Sequence, residues 1–231
     1  MQTIDRTYIA RIVILILIPL AFGLSCTEVS APVMEEPKEI MPLGVGNKWT
    51  YLSGTFSIPD TTVLEITRQI LVTIDSVTYQ GSAYKYYVQG AAKPDFEWLY
   101  WNGDDGLYRL GGVSSQDSFY VKRLAFKYPA EIGESWFYSN LAYSRVDEQF
   151  YTRDTLNIFL IAKEEEFETP AGKFYCYVYK YSRKPADDVF EHWDYYDYFS
   201  PGIGLVAFTI RGQSDGRLID QSVLYDYQIA K

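Results

Sequence analysis

The most constraining feature of this sequence is a short motif that occurs twice. The segment Pro42-x-x-Val45-Gly46-x-x-Trp49-x-Tyr51 recurs as Pro129-x-x-Ile132-Gly133-x-x-Trp136-x-Tyr138, with every matched pair 87 residues apart. In each copy proline fixes φ, glycine permits a turn with positive φ, and the Trp and Tyr that follow lie on one face of a strand. The motif therefore predicts two similar halves, about residues 41–125 and 128–228, each opened by an aromatic strand.

Two further pairs of similar segments follow the openings, in the same order in each half. In residues 96–107 and in residues 194–205, an aromatic segment is followed by a glycine-rich turn and a Gly-Leu pair. Residues 78–88 and residues 168–178 share the pattern of a hairpin. The agreement in order indicates that each half is a meander of several strands.

Period-two alternation of apolar and polar residues runs through both halves. The chain contains 22 Tyr, 13 Phe and 5 Trp, and aromatic residues favour pleated, half-buried surfaces. After residue 40 we find no helical stripe longer than about ten residues. The sequence therefore predicts an all-β domain over residues 41–231: a large antiparallel curved sheet, as a half-barrel or a sandwich. The clearest strands are predicted at 66–74, 84–88, 98–101, 156–161, 174–181, 205–210 and 223–229.

The N-terminus has the organisation of an export signal. Arg6 and Arg11 precede an apolar run, Ile12 to Phe22, which is too short to span a bilayer of ~30 Å as a helix. Residues 1–25 are therefore predicted to be a signal peptide that is removed. An ordinary secretory peptide with a chance cysteine at position 26 is the alternative to the interpretation that follows.

Gly23-Leu24-Ser25-Cys26 resembles the lipobox of bacterial lipoproteins, whose cysteine is diacylated and becomes the first mature residue. The resemblance implies a lipid on Cys26, and hence attachment to a membrane. Residues 26–40 are polar, acidic and without a period, which predicts a flexible tether. Thr27 stands where such lipoproteins carry an inner-membrane retention Asp, so the resemblance implies the outer membrane, facing the periplasm or the cell surface.

Charge and cysteine content limit the partners. The net charge is −9 without a cluster of Lys or Arg, and an acidic chain repels phosphate backbones, so nucleic acid is not an expected partner. Cys26 and Cys176 are the two cysteines, and we expect no bridge between them because one is lipidated and the other lies in a strand.

No recognised catalytic motif is present, so the prediction is no catalytic residue and no cofactor. The one histidine is His192, and the sequence lacks a Gly-x-Ser-x-Gly elbow, a His-Glu-x-x-His pair and a phosphate-binding loop. A pair of carboxylates facing one cleft, acting on glycans for example, is compatible with the composition. A carboxylate-dependent hydrolase is therefore retained as an alternative.

Two acidic segments have the chemistry of metal sites, but a structural interpretation is favoured for both. The first, residues 187–197, contains Asp187, Asp188, Glu191, His192, Asp194 and Asp197, yet matches no ligand spacing and is typical of a solvated loop entering a strand. The second, residues 102–106, is explained by a hairpin turn. No metal site is predicted.

The candidate binding surface is the segment Phe174 to Tyr181. Period two places Phe174, Cys176 and Val178 on one face and four tyrosines on the other. We expect the first face in the core, with Cys176 a buried hydrophobe. The tyrosine face is a candidate groove for a sugar, peptide or lipid tail, the alternative being a surface that only stabilises the sheet. These candidate residues are Tyr175, Tyr177, Tyr179 and Tyr181.

Three phrases resemble a loose group of uncharacterised bacterial lipoproteins. These are the opening at 42–51, Thr169-Pro-Ala-Gly-Lys-Phe-Tyr-Cys-Tyr177 and Tyr198-Phe-Ser-Pro-Gly-Ile-Gly-Leu-Val206. At fold level the chain also resembles curved-sheet periplasmic lipid carriers, and fold alone does not determine function. The prediction is a lipid-anchored, non-enzymatic binding or assembly module for a small molecule, glycan, lipid or protein, with a purely structural envelope protein as a further alternative.

Overall fold

Every regular element that the structure describes is a β-strand. The computed structural model describes residues 37–55, 65–77, 83–89, 96–114, 117–144, 146–183 and 193–230. Within these ranges, no helix has the length and apolar character needed to cross a membrane. The strands are β1 (Lys48–Thr55), β2 (Glu65–Val77), β3 (Ala83–Gln89), β4 (Phe96–Gly103), β5 (Gly106–Ser114), β6 (Ser118–Lys127), β7 (Ser135–Ser144), β8 (Gln149–Thr169), β9 (Gly172–Arg183), β10 (Trp193–Ser200), β11 (Gly204–Gly212) and β12 (Leu218–Gln228).

The twelve strands form one antiparallel sheet made of two six-stranded meanders. The order across the sheet is β6-β5-β4-β3-β2-β1-β12-β11-β10-β9-β8-β7, so neighbours along the chain are neighbours in space except where β1 pairs with β12. All seven predicted strands coincide with strands of this sheet. The predicted fold class, an antiparallel curved all-β sheet of two similar meanders, is confirmed.

The two duplicated openings have the same backbone geometry. Gly46 and Gly133 both have φ of 90°, a conformation that glycine adopts without strain. The N–H of Gly46 donates to the carbonyl of Ile74 at 3.0 Å, and the N–H of Gly133 donates to that of Leu160 at 2.8 Å. Each opening is thus fastened to the strand that follows it in its own half.

The duplicated tryptophans bind to the opposite half. The indole N–H of Trp49, which is fully buried, donates to the carbonyl of Ile203 at 2.7 Å, across the β1–β12 junction. The indole N–H of Trp136 donates to the carbonyl of Ala125 at 3.3 Å, from β7 to β6. The repeat therefore provides reciprocal anchors, because each indole bonds a backbone group of the other meander.

The sheet curls so that its two terminal strands approach each other. β6 and β7 stand at opposite ends of the strand order, yet they are consecutive in the chain and are joined by the short segment 128–134. Side chains meet across the concave side: Phe126 packs on Tyr179 with ring centroids 5.1 Å apart, and the hydroxyl of Tyr179 donates to the carbonyl of Lys127 at 2.7 Å. This curled aromatic core surrounds the candidate site.

The prediction of a free tether up to residue 40 is wrong for residues 37–40. Ile40 is 1% exposed, the carbonyl of Glu39 accepts from the N–H of Gly202 at 2.8 Å, and the carbonyl of Pro37 accepts from Tyr128 at 2.7 Å. The apolar side chains of Ile40 and Met41 complete the core, and a single pair of apolar residues has no period to reveal it. Residues 26–36 lie outside the described part of the chain.

Candidate functional site

The candidate site is a cavity of about 300 Å³ on the concave side of the sheet. Both meanders contribute to its lining, which is apolar over much of its surface. Polar character is supplied by Arg109, Asn140, Asp197 and the tyrosines Tyr100, Tyr138 and Tyr181, whereas the apolar lining includes Leu107, Phe126, Leu156, Ile158, Phe199 and Leu205. An apolar cavity with a few convergent polar groups is the usual form of a small-molecule site.

Arg109 is held in place by aromatic neighbours on β4. Tyr100 is its direct cross-strand partner, and the Tyr100 hydroxyl accepts hydrogen bonds from Nε at 3.2 Å and Nη2 at 2.8 Å. The guanidinium also lies over the Trp98 ring, 4.4 Å from its centroid, where the ring quadrupole attracts a cation. These contacts fix the position of the Arg109 side chain, which lines the cavity.

Asp197 places a carboxyl group in the same cavity. It is 6% exposed, on β10, and accepts a hydrogen bond from the Tyr181 hydroxyl. Burial raises the pKa of Asp197 to about 7, although the bond from Tyr181 and the positive charge of Arg109 both favour the carboxylate. Near neutral pH this group exists in both protonation states, so it is able to donate or to accept a hydrogen bond.

The sequence interpretation did not single out Arg109, and it named Asp197 only as part of an acidic segment interpreted as a solvated loop entering a strand. Arg109 stands two residues after the buried Leu107 on β5, and Asp197 stands two residues before the buried Phe199 on β10. All four residues line the cavity, although the register shifts between Leu107 and Tyr108 and between Tyr198 and Phe199, so strict period two does not place the charged residues there by itself. A charged side chain on an apolar face is rare unless it is paired or functional.

The four predicted tyrosines do not form one open surface. Tyr175 is 60% exposed, Tyr177 is 7% exposed and Tyr179 is 0% exposed. Tyr181 lines the cavity and stacks on Tyr195 with ring centroids 5.1 Å apart. An open tyrosine groove is therefore not what β9 presents, and Tyr181 is the member that reaches the cavity.

The physical reason is that β9 is covered on both faces from Cys176 to Tyr179. Cys176 and Val178, predicted to face the core, are buried, and their faces alternate with those of Tyr177 and Tyr179. The tip of the β8–β9 hairpin reaches β12, where the N–H of Ala171 donates to the carbonyl of Leu224 at 3.4 Å. Period two separates the two faces of a strand but does not state what covers each of them.

The described part of the first acidic segment belongs to β10 rather than to a solvated loop: Asp197 lines the cavity, and Asp194 is buried with a structural role. The carboxylate of Asp194 accepts from Ser182 at 2.6 Å and Gln213 at 2.8 Å, and pairs with Lys180 at 2.6 Å. Across the described ranges, no group of three potential metal-ligating residues occurs. Asp187, Asp188, Glu191 and His192 lie outside the described residues, as does Cys26.

The second acidic segment is a hairpin turn, as predicted. β4 and β5 are joined at Asp104 and Asp105, where Gly103 pairs with Gly106. The side chain of Asn102 donates to the carbonyl of Met41 at 2.9 Å, which ties this turn to the N-terminal segment of the domain.

Comparison with known proteins shows the fold but not a family. No family model matches the chain, and no curated protein matches it. The structure resembles a candidate exported protein with a YmcC-like fold from Bacteroides fragilis NCTC 9343, with a TM-score of 0.51 and 16% identity over 82% of this chain and 98% of the other. It also resembles a candidate lipoprotein from Parabacteroides distasonis ATCC 8503, with a TM-score of 0.51 and 13% identity over 84% of this chain and 100% of the other.

At such identities the likeness establishes the fold alone. The fold and the cavity together define a curled, antiparallel all-β domain with a YmcC-like architecture and an internal, partly charged cavity. The ligand of this cavity is a separate question, since folds host many functions.

Proposed function

We propose that this protein is exported, anchored in the cell envelope by a lipid on Cys26, and binds a small ligand in the cavity without catalysing a reaction. The observation that carries the binding proposal is the placement of Arg109 and Asp197 together in a cavity of about 300 Å³ whose other walls are largely apolar. Charged groups are costly to bury, and a ligand that interacts with them offsets this cost.

A hydrolase is less well supported by the cavity. Glycoside hydrolysis uses two carboxyl groups, which lie roughly 5 to 10 Å apart. Among the cavity-lining residues that the structure describes, Asp197 is the one carboxylic acid. Binding requires no second acid, so it is the function that this set of side chains favours.

The envelope location is supported by the N-terminal sequence and by the two similar structures, whose descriptions name an exported protein and a lipoprotein. Metabolic labelling with a radioactive fatty acid tests the anchor. The native chain is expected to incorporate the label and Cys26→Ser is expected to incorporate none, because the thiol that carries the acyl groups is gone. Equal labelling of both chains would reject the lipid anchor.

Ligand binding is tested by filling the cavity. Native mass spectrometry of the protein, isolated from its envelope without organic extraction, is expected to show a non-covalent adduct. Leu156→Trp should lose this adduct because the larger ring occupies the cavity, and Ile158→Phe provides a smaller increase in volume in case tryptophan prevents folding. Phe159→Trp is the matched control, since Phe159 is on the outward face of the same strand. A wild-type protein that carries no adduct and takes up no molecule from an envelope extract would overturn the proposal.

A further inference from the structure

A second arginine stands directly beside Arg109. In the β5–β6 ladder Arg109 is the cross-strand partner of Arg123, so the two side chains lie on the same face of the sheet. Like charges at such positions repel each other. Burial lowers the pKa of Arg123 and the charge of Arg109 adds to this effect, while Tyr138 opposes it.

Carboxylates compensate the two guanidinium groups in part, because Asp197 interacts electrostatically with Arg109. Within the described part of the chain, neither arginine forms an ion pair with a carboxylate. The Arg123 guanidinium lies over the Phe119 ring, 5.1 Å from its centroid, and its Nη1 is buried without a hydrogen-bond partner among the described residues. A buried, unpaired N–H of a charged group is costly, and an anion placed there would satisfy it.

Tyr138 interacts with both arginines and also lines the cavity. Tyr138 lines the cavity, and the Arg109 guanidinium lies 5.6 Å from its ring centroid. Arg109 lines the cavity and Arg123 lies directly beside it, whereas Leu156, Ile158 and Phe199 contribute apolar side chains to the lining. A cavity lined by both a guanidinium group and apolar side chains matches an amphipathic ligand.

We propose that the ligand is an amphipathic carboxylate, whose anionic group is held by Arg109 and Arg123 and whose hydrocarbon chain lies against Leu156, Ile158 and Phe199. The inference rests on the proposed binding function and specifies its ligand class. Guanidinium groups recognise planar carboxylates through paired N–H donors, which suits them to this task.

Charge and volume limit the ligand further. Arg109 and Asp197 are the charged residues of the lining, so the lining carries one positive charge when Asp197 is protonated, and a single negative charge on the ligand neutralises it. A cavity of about 300 Å³ corresponds to roughly ten water molecules at ~30 Å³ each, and therefore to a chain of about ten carbon atoms. Decanoate is the probe that combines both properties.

Isothermal titration calorimetry of the chain from Thr27 onward, which lacks the signal peptide and the lipidated cysteine and retains every described strand, tests the proposal with three probes. Decanoate is expected to bind at least tenfold more tightly than decanol, which lacks the charge, and than acetate, which lacks the chain. Arg109→Gln and Arg123→Gln should each weaken decanoate binding at least tenfold and leave decanol binding unchanged. Arg153→Gln, on an exposed position of β8, is the matched control and should behave as the wild type.

The outcomes separate this inference from the proposed function. Equal binding of decanoate and decanol, or decanoate binding that neither arginine variant weakens, would overturn the anion site. Tighter binding of decyl phosphate with the same arginine dependence would replace the carboxylate by a phosphate and so overturn the ligand class. If no probe binds while native mass spectrometry still shows an adduct, the proposed ligand class is wrong and the proposed binding function stands. If neither probe binding nor an adduct is observed, both proposals are wrong.

Discussion

Asp197 is the residue at which burial and charge compete most directly, and its titration predicts a pH-dependent stability. Its pKa is about 7 in the folded protein against 3.8 for an unperturbed group. Between these values the folded state retains a proton that the unfolded state has lost, so stability falls as pH rises from about 4 to about 7. Asp197→Asn cannot ionise and is expected to be more stable than the wild type at pH 8, by up to about 4 kcal/mol, and equally stable near pH 4.

Urea unfolding at pH 4 and pH 8 measures this difference. Asp194→Asn is the control with the opposite sign: burial alone would raise the pKa of Asp194, but the bonds from Lys180, Ser182 and Gln213 lower it. That variant should be less stable than the wild type at pH 8. A constant gap between Asp197→Asn and the wild type at the two pH values would contradict the assignment.

The same carboxyl group is expected to control the affinity for an anionic ligand. Arg109 and Tyr181 are the charged and polar groups that act on Asp197, and a ligand carboxylate held by Arg109 adds a second negative charge nearby. Decanoate binding should therefore strengthen severalfold between pH 8 and pH 6, as Asp197 gains a proton while the ligand, with a pKa of about 4 to 5, stays ionised. Calorimetric titrations at the two pH values measure the change. In Asp197→Asn the affinity should be the same at both, and a persistent pH dependence in that variant would assign the effect to another group.

Among the elements, the two strand openings offer a direct test of the duplication. Gly46 and Gly133 share φ of 90°, and a Cβ atom added at either position would meet no atom within 4 Å. Alanine therefore introduces backbone strain without a steric clash, and each substitution should destabilise the protein by the same amount, roughly 1 to 2 kcal/mol. Thermal unfolding of Gly46→Ala and Gly133→Ala measures the two values, with the exposed Val45→Ala as a control that should change stability little. Clearly unequal losses would show that the two openings are not equivalent in energy.

For the individual strands, the sequence predicts their positions well but does not predict which parts of the protein cover each of their faces. Alternation identified β9 and placed Cys176 correctly in the core, because a period of two is a local property of an extended chain. The covering of Tyr177 and Tyr179 depends on the curl of the sheet and on contacts such as that between Tyr179 and Phe126, more than 50 residues away. No local pattern contains that information.

Strand irregularity is a second limit on prediction. β8 runs over 21 residues, and its pairing with β9 shifts between Leu160 and Glu165, where Glu164 has φ of 56°. A bulge of this kind bends a strand and changes which face each side chain occupies. The alternation that predicted residues 156–161 stops at this point, so the continuation of β8 to Thr169 was not predicted. The site residues Arg109 and Asp197 also lie close to register shifts, between Arg109 and Gly111 on β5 and between Tyr198 and Phe199 on β10, which is a further reason why alternation alone did not identify them.

Across the whole molecule, the two meanders are similar in plan but depend on each other for their core. The indole of Trp49 and the hydroxyl of Tyr51 in the first meander donate to the carbonyls of Ile203 and Leu205 in the second. The return contact is made by Tyr179, whose hydroxyl donates to the carbonyl of Lys127. Separating the halves would leave these buried donors unpaired and would expose the edges of β1 and β12.

The protein is therefore expected to unfold in one cooperative transition despite its duplication. Far-ultraviolet circular dichroism, which reports the strands, and tryptophan fluorescence, which reports the aromatic core, should give the same midpoint in urea. Tyr179→Phe removes one hydrogen bond between the meanders and should lower the free energy of unfolding by about 1 kcal/mol. The common midpoint should then move to a lower urea concentration without separation of the two curves. Two resolved transitions would instead show that each meander unfolds independently. The contacts between the meanders would then not make unfolding cooperative.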